Sequence, residues 1–228
     1  MTAIADRWRG VVANVTLACE RAQRDPSDVT IIAVSKLQPA SAVCEATAAG
    51  ALDFGENYAQ ELAAKRDSCP GVIRWHFIGH LQRNKAKWVA GQVALVHAVD
   101  RVELAIELSA RSSAIQPVLL AVNLAGETTK HGVAADAVPQ LARAVAQLPN
   151  LRLDGLMTMP PPHEDPEASR PIFQRLRELR DSIANELGQP LPVLSMGMSG
   201  DYEVAIACGA THVRIGTAIF GPRPLRDR

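Results

Sequence analysis

Aromatic residues, cysteines and excess charge are all scarce in this sequence. Aromatics make up 4% of the 228 residues, so a stacking platform for nucleic-acid bases is not expected. Lysine plus arginine and aspartate plus glutamate number 24 each, which leaves no basic excess to attract nucleic acid. The four cysteines are scattered and form no Cys-x-x-Cys motif, which argues against a disulfide framework or a structural zinc site.

Long apolar runs are missing as well. No stretch reaches the roughly 18 consecutive apolar residues that a membrane-spanning helix needs. The N-terminal segment carries Asp6, Arg7 and Arg9 where a signal peptide would have its apolar core. The scattered cysteines, the lack of a long apolar run and the charged N-terminal segment together predict a cytoplasmic protein without a membrane segment.

Short apolar runs alternate with helical patterns along the whole chain. The strand-like runs are 30–36, 51–57, 74–80, 95–100, 117–124, 151–159, 193–199 and 212–220. The clearest helical patterns are 4–24, 39–49, 101–113, 136–148 and 167–187. Strands that alternate with helices indicate a parallel sheet with right-handed crossovers. We predict one α/β domain over residues 1–228, a single (β/α)8 TIM barrel with an extra N-terminal helix.

An open doubly wound sheet is the alternative to the barrel. Its usual Gly-x-Gly-x-x-Gly turn after the first strand is absent here. In a barrel the chemistry gathers at the carboxyl ends of the strands, so the residues at those ends are the candidates for function.

Lys36 closes the first strand-like run, which begins at Thr30. A lysine amine that is desolvated at such a position can lose its proton and attack an aldehyde. Taken alone, a lysine at a strand end is more often a snorkelling surface residue.

The ends of the last two strands have the composition of a phosphate site. Ser199 and Gly200 lead into a helical segment at 201–207, and Gly216 and Thr217 are predicted within the eighth strand. Hydroxyls and backbone N–H groups near a helix start bind phosphate well. Asp201 and Glu203 add negative charge there, so their side chains must point away from a bound phosphate.

Arg214 is flanked by the apolar residues Val213 and Ile215, so it is predicted to point into the barrel. A buried guanidinium needs a partner, for which Glu56 and Asp100 are the candidates.

Most histidines and methionines near the strand ends are interpreted as structural residues rather than as ligands. His76 and His80 would lie about 13 Å apart on a strand, too far to share a metal ion. Met157 is a candidate wall of the pocket, whereas Met159 is taken as barrel packing, together with Met196 and Met198. Lys85 and Lys87 are taken as a solvated helix face.

Four sets of segments together resemble one known family over nearly the whole chain. They are Ala33–Lys36, Phe54–Tyr58, Trp75–Gln82 with Asn84-Lys85, and Ser195–Ser199 followed by Arg214–Thr217. In this combination and order they resemble the pyridoxal-phosphate homeostasis protein family (YggS/PROSC type). The resemblance implies a barrel like the N-terminal domain of alanine racemase.

The resemblance also implies a cofactor and a set of residues that hold it. The cofactor is pyridoxal 5'-phosphate (PLP), bound as a Schiff base on Lys36. By analogy Arg214 faces the pyridine nitrogen and Asn57 lies beside the cofactor. The phosphate would be held by Ser199, Gly216 and Thr217. The segment 127–132 matches the family too, and the resemblance suggests a transfer role for Lys130.

The family is regarded as a carrier and regulator of the cofactor, with effects on amino-acid and keto-acid pools and without established catalysis. Arginine stays charged, so Arg214 would disfavour protonation of the pyridine nitrogen and weaken it as an electron sink. Racemases of this fold also draw a tyrosine from a second domain, for which a chain ending at Arg228 leaves no room. Tyr58 and Tyr202 have no argued claim to that role.

Three functions therefore remain in competition. The favoured one is a monomeric PLP carrier that passes the cofactor to PLP-dependent apoenzymes. The second is a low-activity PLP-dependent enzyme, such as an amino-acid racemase. The third is a barrel enzyme that acts on a sugar phosphate without a cofactor, since a lysine and a phosphate site alone do not separate the last two.

Overall fold

A computed structural model describes residues 2–69, 71–125 and 131–222. Within these residues, eight parallel strands close into a barrel, because β1 pairs with β9 and β4 pairs with β5. A ninth strand of two residues, β6, pairs with β5 outside the closed ring. The strands are β1 (Thr30–Val34), β2 (Asp53–Glu56), β3 (Arg74–Phe77), β4 (Leu95–Val99), β5 (Gln116–Asn123), β6 (Val133–Ala134), β7 (Leu151–Met157), β8 (Val193–Met198) and β9 (His212–Ile215).

Helices cover the outside of the barrel. In chain order they are α1 (Ala3–Arg21), α2 (Ala40–Ala48), α3 (Ala59–Ser68), α4 (Val102–Arg111), α5 (Val138–Ala146), α6 (Arg170–Leu187), α7 (Tyr202–Ala207) and α8 (Thr217–Phe220). A 3-10 helix at Arg83–Trp88 takes the place of the helix after β3. The predicted (β/α)8 barrel with an extra N-terminal helix is confirmed, since α1 precedes β1 and packs on α2, α7 and α8.

The extra helix α1 forms because its apolar residues recur on one face. Trp8, Val11 and Val15 are buried there, and Thr2 caps the helix by accepting from the N–H of Ala5. The strands are buried on both faces, as expected when helices cover a parallel sheet; β2 and β4 are buried at every position. This packing leaves the strand ends as the places where polar groups can gather.

The prediction for the last strand was wrong at its C-terminal end. Strand β9 stops at Ile215, and α8 follows at once, so Gly216 and Thr217 lie beyond the strand rather than within it. The N–H groups of Ile219 and Phe220 both bond to the carbonyl oxygen of Gly216 at 2.9 Å. A short apolar run such as this one fits a strand and a buried helical turn equally well, so periodicity could not separate them.

Lys36 also lies beyond its strand, because β1 ends at Val34 and a turn follows.

In the described part of the chain, no helix combines the length and the apolar character that crossing a bilayer requires. The four cysteines are free thiols, and the sulfur atoms of Cys44 and Cys69 lie 3.8 Å apart.

Candidate cofactor-binding site

Two adjoining cavities open at the carboxyl ends of the strands. The larger has a volume of about 570 Å³ and the smaller about 240 Å³. They share five lining residues, which therefore stand at the junction between them: Lys36, Asn57, Ile78, Met159 and Arg214. All seven predicted site residues line one or both cavities, namely Lys36, Asn57, Met157, Ser199, Arg214, Gly216 and Thr217.

The smaller cavity contains the predicted phosphate-binding residues. Ser199, Gly216 and Thr217 line it, although they come from the ends of two different strands. A side chain at Gly216 would have its Cβ 3.3 Å from the carbonyl oxygen of Val34, so the backbone lies close to the end of β1. The cavity therefore brings together two hydroxyl-bearing residues and a glycine, a composition that suits an anion.

The acidic residues next to this cavity are engaged elsewhere. Asp201 accepts from the N–H of Met198 at 2.7 Å and from the hydroxyl of Ser169 at 3.0 Å. Glu203 pairs with Arg21 at 3.2 Å on the surface. Neither carboxylate lines the smaller cavity, so the negative charge does not oppose an anion in it directly. The N-cap residue of α7 is Asp201.

The turn that carries Lys36 is held in an unusual backbone conformation. Leu37, the next residue, has φ +63°, a left-handed conformation that non-glycine residues rarely adopt. Its N–H donates to Glu61 Oε1 at 2.6 Å, and the N–H of Ser35 donates to the carbonyl oxygen of Gly55 at 3.1 Å. Lys36 is thus fixed from both sides along the chain.

A buried ion cluster lies behind this turn. Lys65 Nζ contacts the carbonyl oxygen of Ser35 at 2.6 Å, Glu56 Oε1 at 2.6 Å and Glu61 Oε1 at 2.7 Å. Burial raises the pKa of the Glu56 carboxyl, although the nearby charge and hydrogen bond of Lys65 oppose the shift. This cluster was not predicted from the sequence; the spacing of Glu61 and Lys65 on one face of α3 was the available signal.

Arg214 reaches the junction of the two cavities from inside the barrel, as predicted. It is 5% exposed, and its guanidinium donates to Ser195 Oγ at 2.7 Å and to the carbonyl oxygen of Thr158 at 2.9 Å. Burial lowers the pKa of Arg214 to about 10, with the charge of Asp201 opposing the shift.

The predicted partners of Arg214 were wrong. Glu56 pairs with Lys65, and Asp100 pairs with Arg101 and His80. In the described part of the chain, Arg214 has no carboxylate at ion-pair distance, and a hydroxyl and a carbonyl accept from it instead. Neutral acceptors can satisfy a guanidinium because its charge is spread over a planar fork of donors.

Asn57 and the methionines complete the junction. The side-chain oxygen of Asn57 is buried and has no hydrogen-bond partner among the described residues. Met157 lines the larger cavity, as predicted, but Met159 lines both cavities and Met198 the smaller one, so these two are not barrel packing. Met196 is fully buried in the core, where the prediction placed it.

A polar cluster on the rim of the larger cavity was also missed. His80 Nδ1 lies 3.2 Å from Asp100 Oδ2, and the ring of His80 stacks on that of His131 at 3.7 Å and 14°. One ligand-type atom from each of the three residues lies within 4.8 Å of the others. Nearly parallel rings direct their nitrogen lone pairs side by side rather than towards a shared ion. His76 is remote from them, in the barrel interior against Asp53.

Two further residues that line the larger cavity, Tyr58 and Lys85, were given no functional role on the basis of the sequence. Tyr58 lines it and is 48% exposed. Lys85 lines it as well and is half-buried, so the interpretation as a solvated helix face was wrong for this lysine. Its place beside Asn84 in a family-like segment was the signal that could have found it. Lys130 lies outside the described residues.

Comparison with known proteins identifies the family. Residues 11–224 match the model of the alanine racemase N-terminal domain. The pyridoxal phosphate homeostasis protein of Pseudomonas aeruginosa is 48% identical over 227 residues, which cover 98% of this chain and 97% of the relative. The chain belongs to the pyridoxal phosphate homeostasis protein family.

Other members of the pyridoxal phosphate homeostasis protein family agree with this placement. The protein of that name from Aquifex aeolicus is 44% identical over 222 residues, covering 96% of this chain and 97% of the relative. PipY of Synechococcus elongatus, solved with PLP bound, superposes with a TM-score of 0.81 at 33% identity. That match covers 96% of this chain and 100% of PipY.

Proposed function

We propose that this chain binds PLP and acts in its homeostasis as a carrier and regulator, with effects on amino-acid and keto-acid pools. The observation that carries the proposal is the placement of Lys36, Asn57 and Arg214 at the junction of the two cavities, next to the hydroxyls of Ser199 and Thr217. The names of the relatives and the PLP bound to PipY support it.

The residues present fit the cofactor chemically. The buried, unpartnered oxygen of Asn57 can accept from the hydroxyl group of a pyridoxal ring. Ser199, Thr217 and the backbone at Gly216 suit the phosphate. Lys36 is the amine that would hold the aldehyde as a Schiff base, and Met157 would form part of the surrounding wall.

Once bound, PLP supplies an aldehyde that captures amines and a ring that can withdraw electrons from them. Arg214 would face the ring nitrogen with its charge intact, and a neighbouring cation disfavours protonation of that nitrogen. An unprotonated ring is a weak electron sink, which suits storage better than turnover. We therefore propose a role without established catalysis, in a cytoplasmic monomer that delivers PLP to apoenzymes.

The experiment that tests the proposal is a PLP titration followed by chemical trapping. The purified chain should turn yellow with one equivalent of PLP and lose its visible band on borohydride reduction. Peptide mass mapping should then find the phosphopyridoxyl group on Lys36. Lys36→Ala should abolish trapping, and Lys87→Ala, at an exposed position, should not. A chain that stays colourless with excess PLP contradicts the proposal.

A second candidate is the low-activity PLP-dependent enzyme, and one observation favours it. Tyr58 lines the cavity that Lys36 also lines, so a phenol is available near the amine. Exchange of α-deuterium in amino acids, measured by NMR, tests this candidate. Exchange at an enzyme-like rate that disappears in both Tyr58→Phe and Lys36→Ala would favour the enzyme; no exchange above that of free PLP favours the carrier.

A further inference from the structure

A continuous chain of hydrogen bonds runs through the barrel interior and ends at Arg214. Arg214 Nη1 lies 2.7 Å from Ser195 Oγ, which lies 2.9 Å from His97 Nδ1. His97 Nε2 lies 3.1 Å from His76 Nδ1, and His76 Nε2 lies 3.0 Å from Asp53 Oδ1. All five side chains are buried, and they come from five different strands.

The chain spans the barrel from one end to the other. Asp53 and Arg74 are the first residues of β2 and β3, at the end opposite the cavities. Arg74 donates to Asp53 there, and its own side chain is 56% exposed. Arg214, at the other end, lines both cavities. The hydrogen bonds therefore connect a surface ion pair to the candidate cofactor site.

The direction of every bond follows from its two ends. Hydrogen bonds from Arg74 and His76 outweigh burial and hold the pKa of Asp53 at about 2, so this carboxylate is an acceptor. His76 Nε2 therefore donates to this carboxylate, and His76 Nδ1 faces His97 Nε2. Burial lowers the pKa of His97 well below its usual value, so His97 is neutral.

The remaining protons are then fixed. The hydroxyl proton of Ser195 has His97 Nδ1 as its acceptor, so the neutral His97 carries its own proton on Nε2 and donates it to His76 Nδ1. Ser195 Oγ in turn accepts from Arg214. With the opposite order, the hydroxyl proton of Ser195 would have no acceptor among the described residues. Each bond thus runs from a donor on the Arg214 side to an acceptor on the Asp53 side, and the series ends on a carboxylate.

We propose that Ser195, His97, His76 and Asp53 are positioning residues that aim the guanidinium of Arg214 at the cofactor ring. The ordered dipoles stabilise a buried cation that no described carboxylate contacts. Glu56 and Asp100 have other partners, Lys65 and Arg101. The part of this inference that concerns the cofactor ring rests on the proposed function; the bond order within the barrel does not.

The bond order can be tested on the full chain without PLP. Long-range ¹H–¹⁵N correlation spectra of the ¹⁵N-labelled protein report which ring nitrogen of each histidine carries the proton. We expect the Nε2–H form for both His76 and His97 at neutral pH. An Nδ1–H form of His97, or a doubly protonated His76, would reverse the chain and overturn the inference.

The effect on the cofactor is tested by the pH titration of bound PLP followed by absorbance. Ser195→Ala removes the acceptor of Arg214, and the titration midpoint should rise by about one pH unit, because a displaced cation no longer opposes protonation. Ser112→Ala is the matched control, since Ser112 is a buried serine whose hydroxyl bonds to the carbonyl of Leu108 in α4. A midpoint that is the same in both variants contradicts the proposal.

Substitutions of His97 separate positioning from packing. His97→Asn keeps an acceptor near the Nδ1 position for Ser195 but loses the bond to His76, so it should shift the midpoint less than His97→Leu, which should shift it as Ser195→Ala does. His212→Asn is the control, because its ring packs 6.1 Å from that of His97 but its Nδ1 bonds to Thr211. Equal shifts in His97→Asn and His97→Leu would leave packing as the cause. If wild type binds no PLP, the proposed function fails while the histidine spectra still decide the bond order.

Discussion

Lys65 Nζ donates to the carbonyl oxygen of Ser35 at 2.6 Å, and Ser35 directly precedes Lys36. The same Nζ pairs with Glu61, which accepts from the N–H of Leu37, the residue that follows Lys36. The turn that carries Lys36 is therefore held by a buried ion cluster from α3 and the end of β2, in addition to the bond from Ser35 to Gly55. The backbone of Lys36 is therefore held in place although its side chain is flexible. A fixed backbone favours the capture of a small aldehyde by the amine.

Lys65→Met should destabilise the fold strongly. It leaves Glu56 buried without a charge partner, and removal of one member of a buried pair costs about 3–5 kcal/mol. Urea unfolding followed by circular dichroism measures the change in the free energy of unfolding. Lys87→Met, at an exposed position, should change it by less than about 0.5 kcal/mol.

The loss in Lys65→Met should also depend on pH. Burial already raises the pKa of Glu56 above 4.5, so the folded state holds this proton more tightly than the unfolded chain does. Stability linked to Glu56 is then complete below pH 4.5 and is lost as the pH rises through the folded-state pKa. Without Lys65 that loss should grow. An equal cost at low and neutral pH would show that Glu56 is not its source.

The hydroxyls of the smaller cavity should discriminate between PLP and pyridoxal. Ser199→Ala and Thr217→Val each remove a donor to the phosphate, and hydrogen bonds to charged groups contribute about 1.5–3 kcal/mol. We expect the Kd for PLP to rise about 10- to 100-fold in each variant while that for unphosphorylated pyridoxal stays unchanged. Equal losses for both ligands would place the phosphate elsewhere. Ser68→Ala, on the exposed end of α3, is the control.

The sequence predicted the barrel because its strands are buried on both faces and read as short apolar runs. The set of seven site residues came from the resemblance to the family; all seven line the two cavities, and their contact with the cofactor stays a prediction. Lys65 escaped notice because a polar helix such as α3 looks like a solvated surface. The hydroxyl and carbonyl partners of Arg214, Ser195 and Thr158, lie on two other strands or strand ends, and only the closed barrel brings them together.

Asp53→Asn should remove part of the acid sensitivity of the fold. The pKa of Asp53 is about 2 in the folded state against 3.8 for an unperturbed aspartate, because hydrogen bonds from Arg74 and His76 outweigh burial. The corresponding stability, about 2 kcal/mol, is present above pH 3.8 and is lost as the pH falls towards 2. Urea unfolding of wild type should show this loss, and Asp53→Asn should not. Asp67→Asn, at an exposed position, should retain it.

Gly79→Ala should weaken both the fold and PLP binding. A Cβ at this position would lie 2.3 Å from the carbonyl oxygen of Asn57 and 2.6 Å from its Cα, and backbone atoms cannot rotate away. Overpacking of this kind costs about 1–3 kcal/mol, and it displaces Asn57, which lines both cavities.

The matched change, Gly10→Ala, should have the opposite sign. Gly10 is exposed within α1, and a Cβ there meets no described atom within 4 Å. Alanine is the better helix former, so the free energy of unfolding should rise by about 0.5–1 kcal/mol with PLP affinity unchanged. Thermal unfolding and PLP titration of the two variants side by side give both readouts. If Gly79→Ala bound PLP as tightly as Gly10→Ala does, the backbone contact between Gly79 and Asn57 would have no part in shaping the site.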